Sequence, residues 1–259
     1  MTRLFLLGGH DLEMLEIERL VTATLGPEAV LDKGLPWHAA LASAYAAEIE
    51  AALAGGVRPV LVELRPDLPA EMLERCTIVD HHGPLAGADK PTSLEQVFAL
   101  SGLPQAAWTR RLALVAANDR GWIPELRAMG ASAAEIAAIR AEDRAAQGVS
   151  PAEEAAAATA LEARESRLGG SLTLVRLPHG RTSPVFDRLA LAAIPDDPPD
   201  TLVVAPGELD FSGSGARVTA LARAFPDGWS GGALPERGFW GHAAPLPALE
   251  AVIGTIADA

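Results

Sequence analysis

The sequence predicts an α/β protein: a parallel-sheet domain with crossover helices, a helical linker, and a smaller α/β domain at the carboxyl end. Three observations lead there. Short apolar runs alternate with Ala-rich helical stretches through the first half, as in a parallel sheet covered by helices. Residues 132–168 then turn dense in Ala, Glu and Arg, and after Gly169-Gly170 short apolar strands resume. The 259 residues, 49% hydrophobic and 21% charged, are enough to bury the cores of one large or two medium domains. The boundaries expected are 1–148 for the first domain with the start of the linker, 149–170 for the linker helix, and 171–259 for the second domain.

In chain order, Leu4 to Leu7 is a buried first strand, and Leu12 to Leu25 has helical periodicity. Pro36 to Ala54 reads as a second helix, closed at Gly55-Gly56 where a left-handed residue can end it. Val60 to Leu64 and Thr77 to Val79 are the next strands. Thr92 with Glu95 three residues on is a capping box, starting a helix that stops before Gly102. Leu112 to Ala116 is read as a fourth strand. Ser132/Glu135 and Ser150/Glu153 repeat the capping box, the second with Pro151 at the first helical position and Gly148 as the break between two helices. In the second domain the strands expected are Leu172 to Leu177, Leu202 to Ala205 and about Leu209 to Gly213. Its helices are about Val218 to Ala224 and Leu246 to Ala257, and Pro195 to Pro199 is a stiff surface loop.

Twenty-one Lys and Arg against 34 Asp and Glu give a formal charge of -13, a field that repels polyanions. Long nucleic acid is therefore not expected as a partner. A single cysteine, Cys76, excludes an internal disulfide and a multi-thiolate zinc site and fits a reducing compartment, with the cytoplasm expected. The apolar run at the amino terminus is too short for a signal segment or a membrane span, so no membrane is expected. Homodimerisation stays open.

Groups that do chemistry in an open parallel sheet gather past the carboxyl ends of the strands, where loops and helix amino termini converge. Four expected strands end in this way: Gly8-Gly9-His10-Asp11-Leu12-Glu13 after the first, Glu63 after the second, Asp80-His81-His82-Gly83 after the third, and Asn118-Asp119-Arg120-Gly121 after the fourth. Alone, Asp11 could simply cap a helix, Glu13 could answer its dipole, and Glu63 could pair with Arg65. Asp80-His81-His82 is different, because three consecutive ionisable groups beside a core are costly unless paired or metal-bound. Oxygen-rich ligands with one or two imidazoles suit manganese or magnesium better than zinc.

Thr77-Ile-Val-Asp80-His81-His82-Gly83 resembles the signature of the DHH phosphoesterase superfamily, which includes RecJ-type exonucleases, oligoribonuclease/phosphoadenosine phosphatases and cyclic-dinucleotide phosphodiesterases. Val60-Leu-Val-Glu63 and Ala116-Ala117-Asn118-Asp119 fall where that family has metal-binding Asp residues. Ser212-Gly-Ser-Gly-Ala-Arg217, Gly231-Gly232 and Gly241-His242 resemble the DHH-associated domain. Three departures stand out: Leu7 where the family's first motif has a His, Glu63 for Asp, and a glycine run split by residues Ala233 to Phe239.

The resemblance implies a metal-dependent phosphoesterase that hydrolyses a small phosphorylated or nucleotide-type substrate in an interdomain cleft. Manganese is the ion expected, with magnesium as the alternative, one or two ions in number. The ligand candidates are Asp11, Glu13, Glu63, His81 and Asp119. Asp80 and His82 are the catalytic and orienting candidates, because a metal-bound imidazole needs a partner for its other nitrogen. Arg217, Gly231, Gly232, Gly241 and His242 would grip the substrate's phosphate. The competing reading is a DHH-fold protein that has lost turnover and binds a nucleotide-like ligand in a regulatory role.

Overall fold

The computed structural model describes residues 2–81, 90–193 and 198–259. Contacts divide the chain into two units, Met1–Gly148 and Val149–Ala259.

In the first unit β1 (Arg3–Leu7) leads into α1 (Leu12–Leu25), β2 (Val30–Asp32), α2 (Ala46–Ala54), β3 (Arg58–Val62), the single turn α3 (Ala70–Leu73) and β4 (Thr77–Val79). The strands form one sheet in the order β2-β1-β3-β4, every pair parallel, with Phe5 opposite both Val30 and Val60 and Val62 opposite Val79. The central strands read as continuous apolar runs because both faces are covered: Phe5, Leu6, Leu7, Val60, Leu61 and Val62 are all inaccessible. Parallel pairing has one functional consequence. All four carboxyl ends lie along one edge.

Helices α4 (Ser93–Leu100), α5 (Arg110–Ala128) and α6 (Ala133–Ala146) follow, and all three pack against α1. The Thr92/Glu95 and Ser132/Glu135 capping boxes both form, side chain to backbone in each direction. The expected strand Leu112 to Ala116 lies instead inside α5, which starts where Thr109 accepts a hydrogen bond from the Leu112 amide. A short apolar run fits either a strand or one turn of a buried helix, and this one, Leu and Ala with a single β-branched Val115, continues a helix whose buried face runs from Leu112 to Asn118. The expected helix over Pro36 to Ala54 is also shorter. Leu41 is extended and bridges Arg65, with the Ala42 amide donating to the Arg65 carbonyl and the Arg65 amide to the Ala40 carbonyl, so only Ala46–Ala54 is α-helical. Tertiary pairing outweighs local propensity here.

The second unit begins with α7 (Pro151–Glu162), capped by the Ser150/Glu153 box. It continues through β5 (Glu165–Arg167), β6 (Leu172–Arg176), α8 (Ser183–Ala192), β7 (Thr201–Ala205), β8 (Glu208–Ser214), α9 (Gly215–Ala224), β9 (Trp229–Gly231), β10 (Arg237–Ala243) and α10 (Leu249–Ala257). Its sheet has the order β5-β6-β7-β8-β10-β9, antiparallel except for β6 and β7. Alternation along the strands sends Leu172, Leu174, Leu202, Leu209, Phe211 and Trp240 to the core shared with Val218, Leu221, Val252 and Ile256 of α9 and α10. Val175, Leu177, Val203 and Ala205 point the other way, onto Ala157 of α7 and Val185 of α8. The Pro195 to Pro199 loop lies largely outside the described residues. No helix among the described residues is long and apolar enough to cross a membrane.

Candidate metal centre

The carboxyl edge of the first sheet is built by the closeness of two strand ends. At Gly8 a side chain would place its Cβ 2.4 Å from the Glu63 carbonyl oxygen, so only glycine lets the exit of β1 lie against that of β3. Asp11 then caps α1, its Oδ1 accepting a 2.9 Å hydrogen bond from the Met14 amide. Burial pushes Asp11 up to about 7, with the charge of Asp119 adding to it.

Glu13, in the first turn of α1, is 2% exposed. Its Oε1 accepts from the Leu94 amide at 2.8 Å, and its Oε2 is buried with no hydrogen-bond partner among the described residues. Burial and then Asp119 hold this carboxyl well above its usual range. Glu63 follows β3 with φ of 52°, a left-handed backbone uncommon outside glycine. Its Oε1 accepts from the Ser93 hydroxyl, from the His81 amide at 3.3 Å, and contacts His81 Nδ1 at 3.1 Å. On the other side of the ring, His81 Nε2 stands 2.6 Å from Asp119 Oδ2. Burial works against a charge on His81, but Asp119 and Glu63 outweigh it and raise the imidazole to about 11.

Glu13, Glu63 and His81 each offer a ligand atom within 4.8 Å of the others. Asp119 completes the group through His81. The donor set, carboxylate oxygens with one imidazole nitrogen, matches a hard divalent cation such as manganese or magnesium. Glu13 Oε2, a carboxyl oxygen removed from water with no partner among the described residues, is the atom that most needs one. The protonated ring of His81 is the positive charge set among these carboxylates, and a bound cation would take over that role.

Of the five ligand candidates, the structure thus brings four into contact or common reach, with Asp11 beside them and felt electrostatically. Asp119 reaches the edge from α5 rather than from a strand end, just before the helix breaks at Gly121 and Trp122. The Asp80 carbonyl accepts a hydrogen bond from Gln96 Nε2 at 3.1 Å. His82 lies outside the described residues.

The proposed phosphate-gripping residues are in the second unit. Arg217 Nη1 donates to Asp200 Oδ2 at 2.8 Å and to the Ser171 carbonyl at 3.0 Å. Gly231 and Gly241 are strand residues of the β9-β10 pair rather than loop residues, Gly232 follows β9 with φ of 104°, and His242 sits within β10. The residues read as an insertion, Ala233 to Phe239, connect the two strands and begin β10. Trp240 is fully buried core.

Three polar groups around the centre escape the sequence reading: Ser93, Arg140 and Asp143. Arg140 and Asp143 had a signal, since on α6 they share the buried stripe of Ile136 and Ile139, where charges are not expected unless paired. Ser93 had none beyond lying next to a helix cap.

A parallel-sheet unit with an acid and imidazole cluster on its carboxyl edge is followed by a mixed-sheet unit, an α/β fold shared with solved RecJ structures. Comparison with solved structures agrees: RecJ in complex with Mn2+ from Thermus thermophilus superimposes with a TM-score of 0.54 at 15% identity, over 99% of this chain and 51% of that chain. The chain thus spans about half the length of that protein. Exonuclease RecJ bound to manganese gives a TM-score of 0.48 at 16% identity, over 99% of this chain and 89% of that chain. RecJ in complex with Mg2+, also from Thermus thermophilus, gives 0.46 at 16% identity, over 99% and 49%. No family model and no curated protein matches the chain.

Proposed function

We propose that the chain is a metal-dependent phosphoesterase with its centre at Glu13, Glu63, His81 and Asp119, acting on a small phosphorylated or nucleotide-type molecule. The observation that carries this reading is the buried cluster of ligand atoms within 4.8 Å, with Glu13 Oε2 lacking a partner among the described residues. The RecJ structure that shares the fold is described with Mn2+, which favours the same ion here. A bound divalent ion would acidify a water and offset charge on the phosphoryl oxygens.

The chain's own residues do the rest. The Leu94 amide fixes Glu13 by one oxygen and leaves the other for the ion. Glu63 holds His81 by Nδ1, which turns Nε2 toward Asp119 and the ion's position; such outer contacts set the tautomer and raise ligand basicity. Asp80 and His82, on either side of His81 in sequence, are the groups we assign to moving the proton during attack and leaving-group departure. The net charge of -13 favours short substrates over polymers.

Leu7, in the place of the expected first-motif imidazole, is fully buried and apolar. It favours one ion over two, and it is the observation behind a second reading, a protein that binds a nucleotide without turning it over. The deciding experiment is manganese stoichiometry on metal-stripped protein, with hydrolysis of a panel of phosphate monoesters and dinucleotides. Manganese-dependent turnover lost in Glu13→Gln supports the esterase. Nucleotide binding without turnover supports the second reading, and absence of manganese binding defeats both the centre and the chemistry built on it.

A further inference from the structure

Helix α6 buries three charged residues, Arg140, Asp143 and Arg144, where apolar side chains would be expected, and the first two pair with each other. Arg140 is 6% exposed and Asp143 4%. Arg140 Nη1 donates to Asp143 Oδ2 at 2.7 Å and to Asn118 Oδ1 at 2.8 Å. Asp143 Oδ1 accepts from the Leu12 amide at 3.2 Å, and Gln147 Nε2 donates to Asp143 Oδ2 at 3.1 Å.

The backbone places these contacts reach are informative. Leu12 lies between Asp11 and Glu13, and its amide is one of the donors a helix leaves unsatisfied at its start. Asn118 immediately precedes Asp119. The Arg140 guanidinium also stands 5.9 Å from the Trp122 ring centroid, on the far side of the break in α5. One buried ion pair is therefore tied to the two segments, distant in sequence, that present Glu13 and Asp119. A buried ion pair is by itself a weak source of fold stability, because replacing one with apolar side chains of similar volume is often neutral or stabilising.

We propose that Arg140 and Asp143 are positioning residues, a strut from α6 that holds the start of α1 and the end of the first half of α5 at the spacing the metal requires. The inference rests on the metal-centre reading above. Its test is the double variant Arg140→Met/Asp143→Leu in the full chain, which removes both charges together. Two quantities are read: manganese affinity from the electron paramagnetic resonance signal of free Mn2+, and the unfolding midpoint of the metal-stripped protein.

The strut predicts affinity weakened about tenfold to a hundredfold, the range for loss of an outer-sphere partner, with the midpoint kept or raised. Affinity within twofold of the parent overturns it. Should the double variant not fold, Asn118→Ala cuts only the link from Arg140 to the Asp119 segment; weakened affinity there supports the strut, and unchanged affinity overturns it. A parent protein that binds no manganese fails at the metal centre itself, whereas a parent and a variant that bind alike fail the strut alone.

Discussion

At the carboxyl edge of the first sheet, Glu13, Glu63 and Asp119 surround the His81 imidazole; beside the second sheet, Asp200 meets Arg217 at 2.8 Å and Arg237 at 3.6 Å. Both places collect charge, but only the second balances it among its own described residues. The contrast separates two uses of burial. In the second unit, ion pairs tie the start of β7 to α9 and β10, a structural task complete within the chain. In the first, burial raises carboxyls and leaves Glu13 Oε2 without a partner among the described residues, right beside an imidazole. Asp210 of the second unit is also raised by burial with Oδ2 unpartnered among the described residues, but its neighbour is the carboxyl of Glu208, so only the first place has a cation-binding donor set.

The largest expected effect breaks this contrast directly. Glu13→Gln keeps an acceptor for the Leu94 amide but removes the buried charge, so manganese affinity should fall more than about a hundredfold, by calorimetry, while the metal-free protein melts higher. A melting point that drops instead would mean that Glu13 is serving structure.

Next in size is the effect of the ion. At a free concentration one hundred times its dissociation constant, manganese should stabilise the first unit by about 2.7 kcal/mol and leave the second untouched. Hydrogen exchange resolved by segment would read both, and equal protection in the two units would remove the distinction.

The pH response sharpens the comparison further. Burial raises Asp11 to about 7 and, with Glu208 beside it, Asp210 to about 8. Each folded state therefore holds a proton that the unfolded chain has released, so stability is full below about pH 4 and is lost as pH rises to those values. Manganese should cancel the loss in the first unit only. Asp210→Asn should cancel it in the second only, raising its midpoint by about 3 °C at pH 8 and leaving it unchanged at pH 4. Scanning calorimetry of the four combinations tests this.

Smallest is Arg217→Ala. Its links to Asp200 and Ser171 predict about 1 kcal/mol of lost stability and unchanged manganese affinity. A Michaelis constant that rises while the midpoint holds would instead give Arg217 a substrate to grip.

What is legible in the sequence depends on how local its cause is. β4 and α1 match residue for residue, because Thr77–Val79 is a short branched run and α1 begins at a capping aspartate. All three capping boxes form, since each needs only four neighbouring residues. Leu112–Ala116 misleads because one turn of apolar residues carries no period of its own, and β9 and β10 because glycines there serve close strand packing: Gly241 lies under the Trp229 ring. The metal cluster is legible as a set of residue types at strand ends. That Glu63 spends an oxygen on Ser93 and His81, and that α6 reaches Asn118 and the Leu12 amide, depends on contacts across 18 to 131 positions, which no local pattern records.

The left-handed backbone of Glu63 bears on engineering. A residue other than glycine held there costs on the order of 1 kcal/mol or more, and Gly or Asn would relieve it. A screen for thermostability would nonetheless keep Glu63, because Gly there takes the common acceptor from the Ser93 hydroxyl and from the His81 amide and ring, a larger loss than the strain relieved. In this protein heat tolerance and metal loading are expected to rest on the same strained codon.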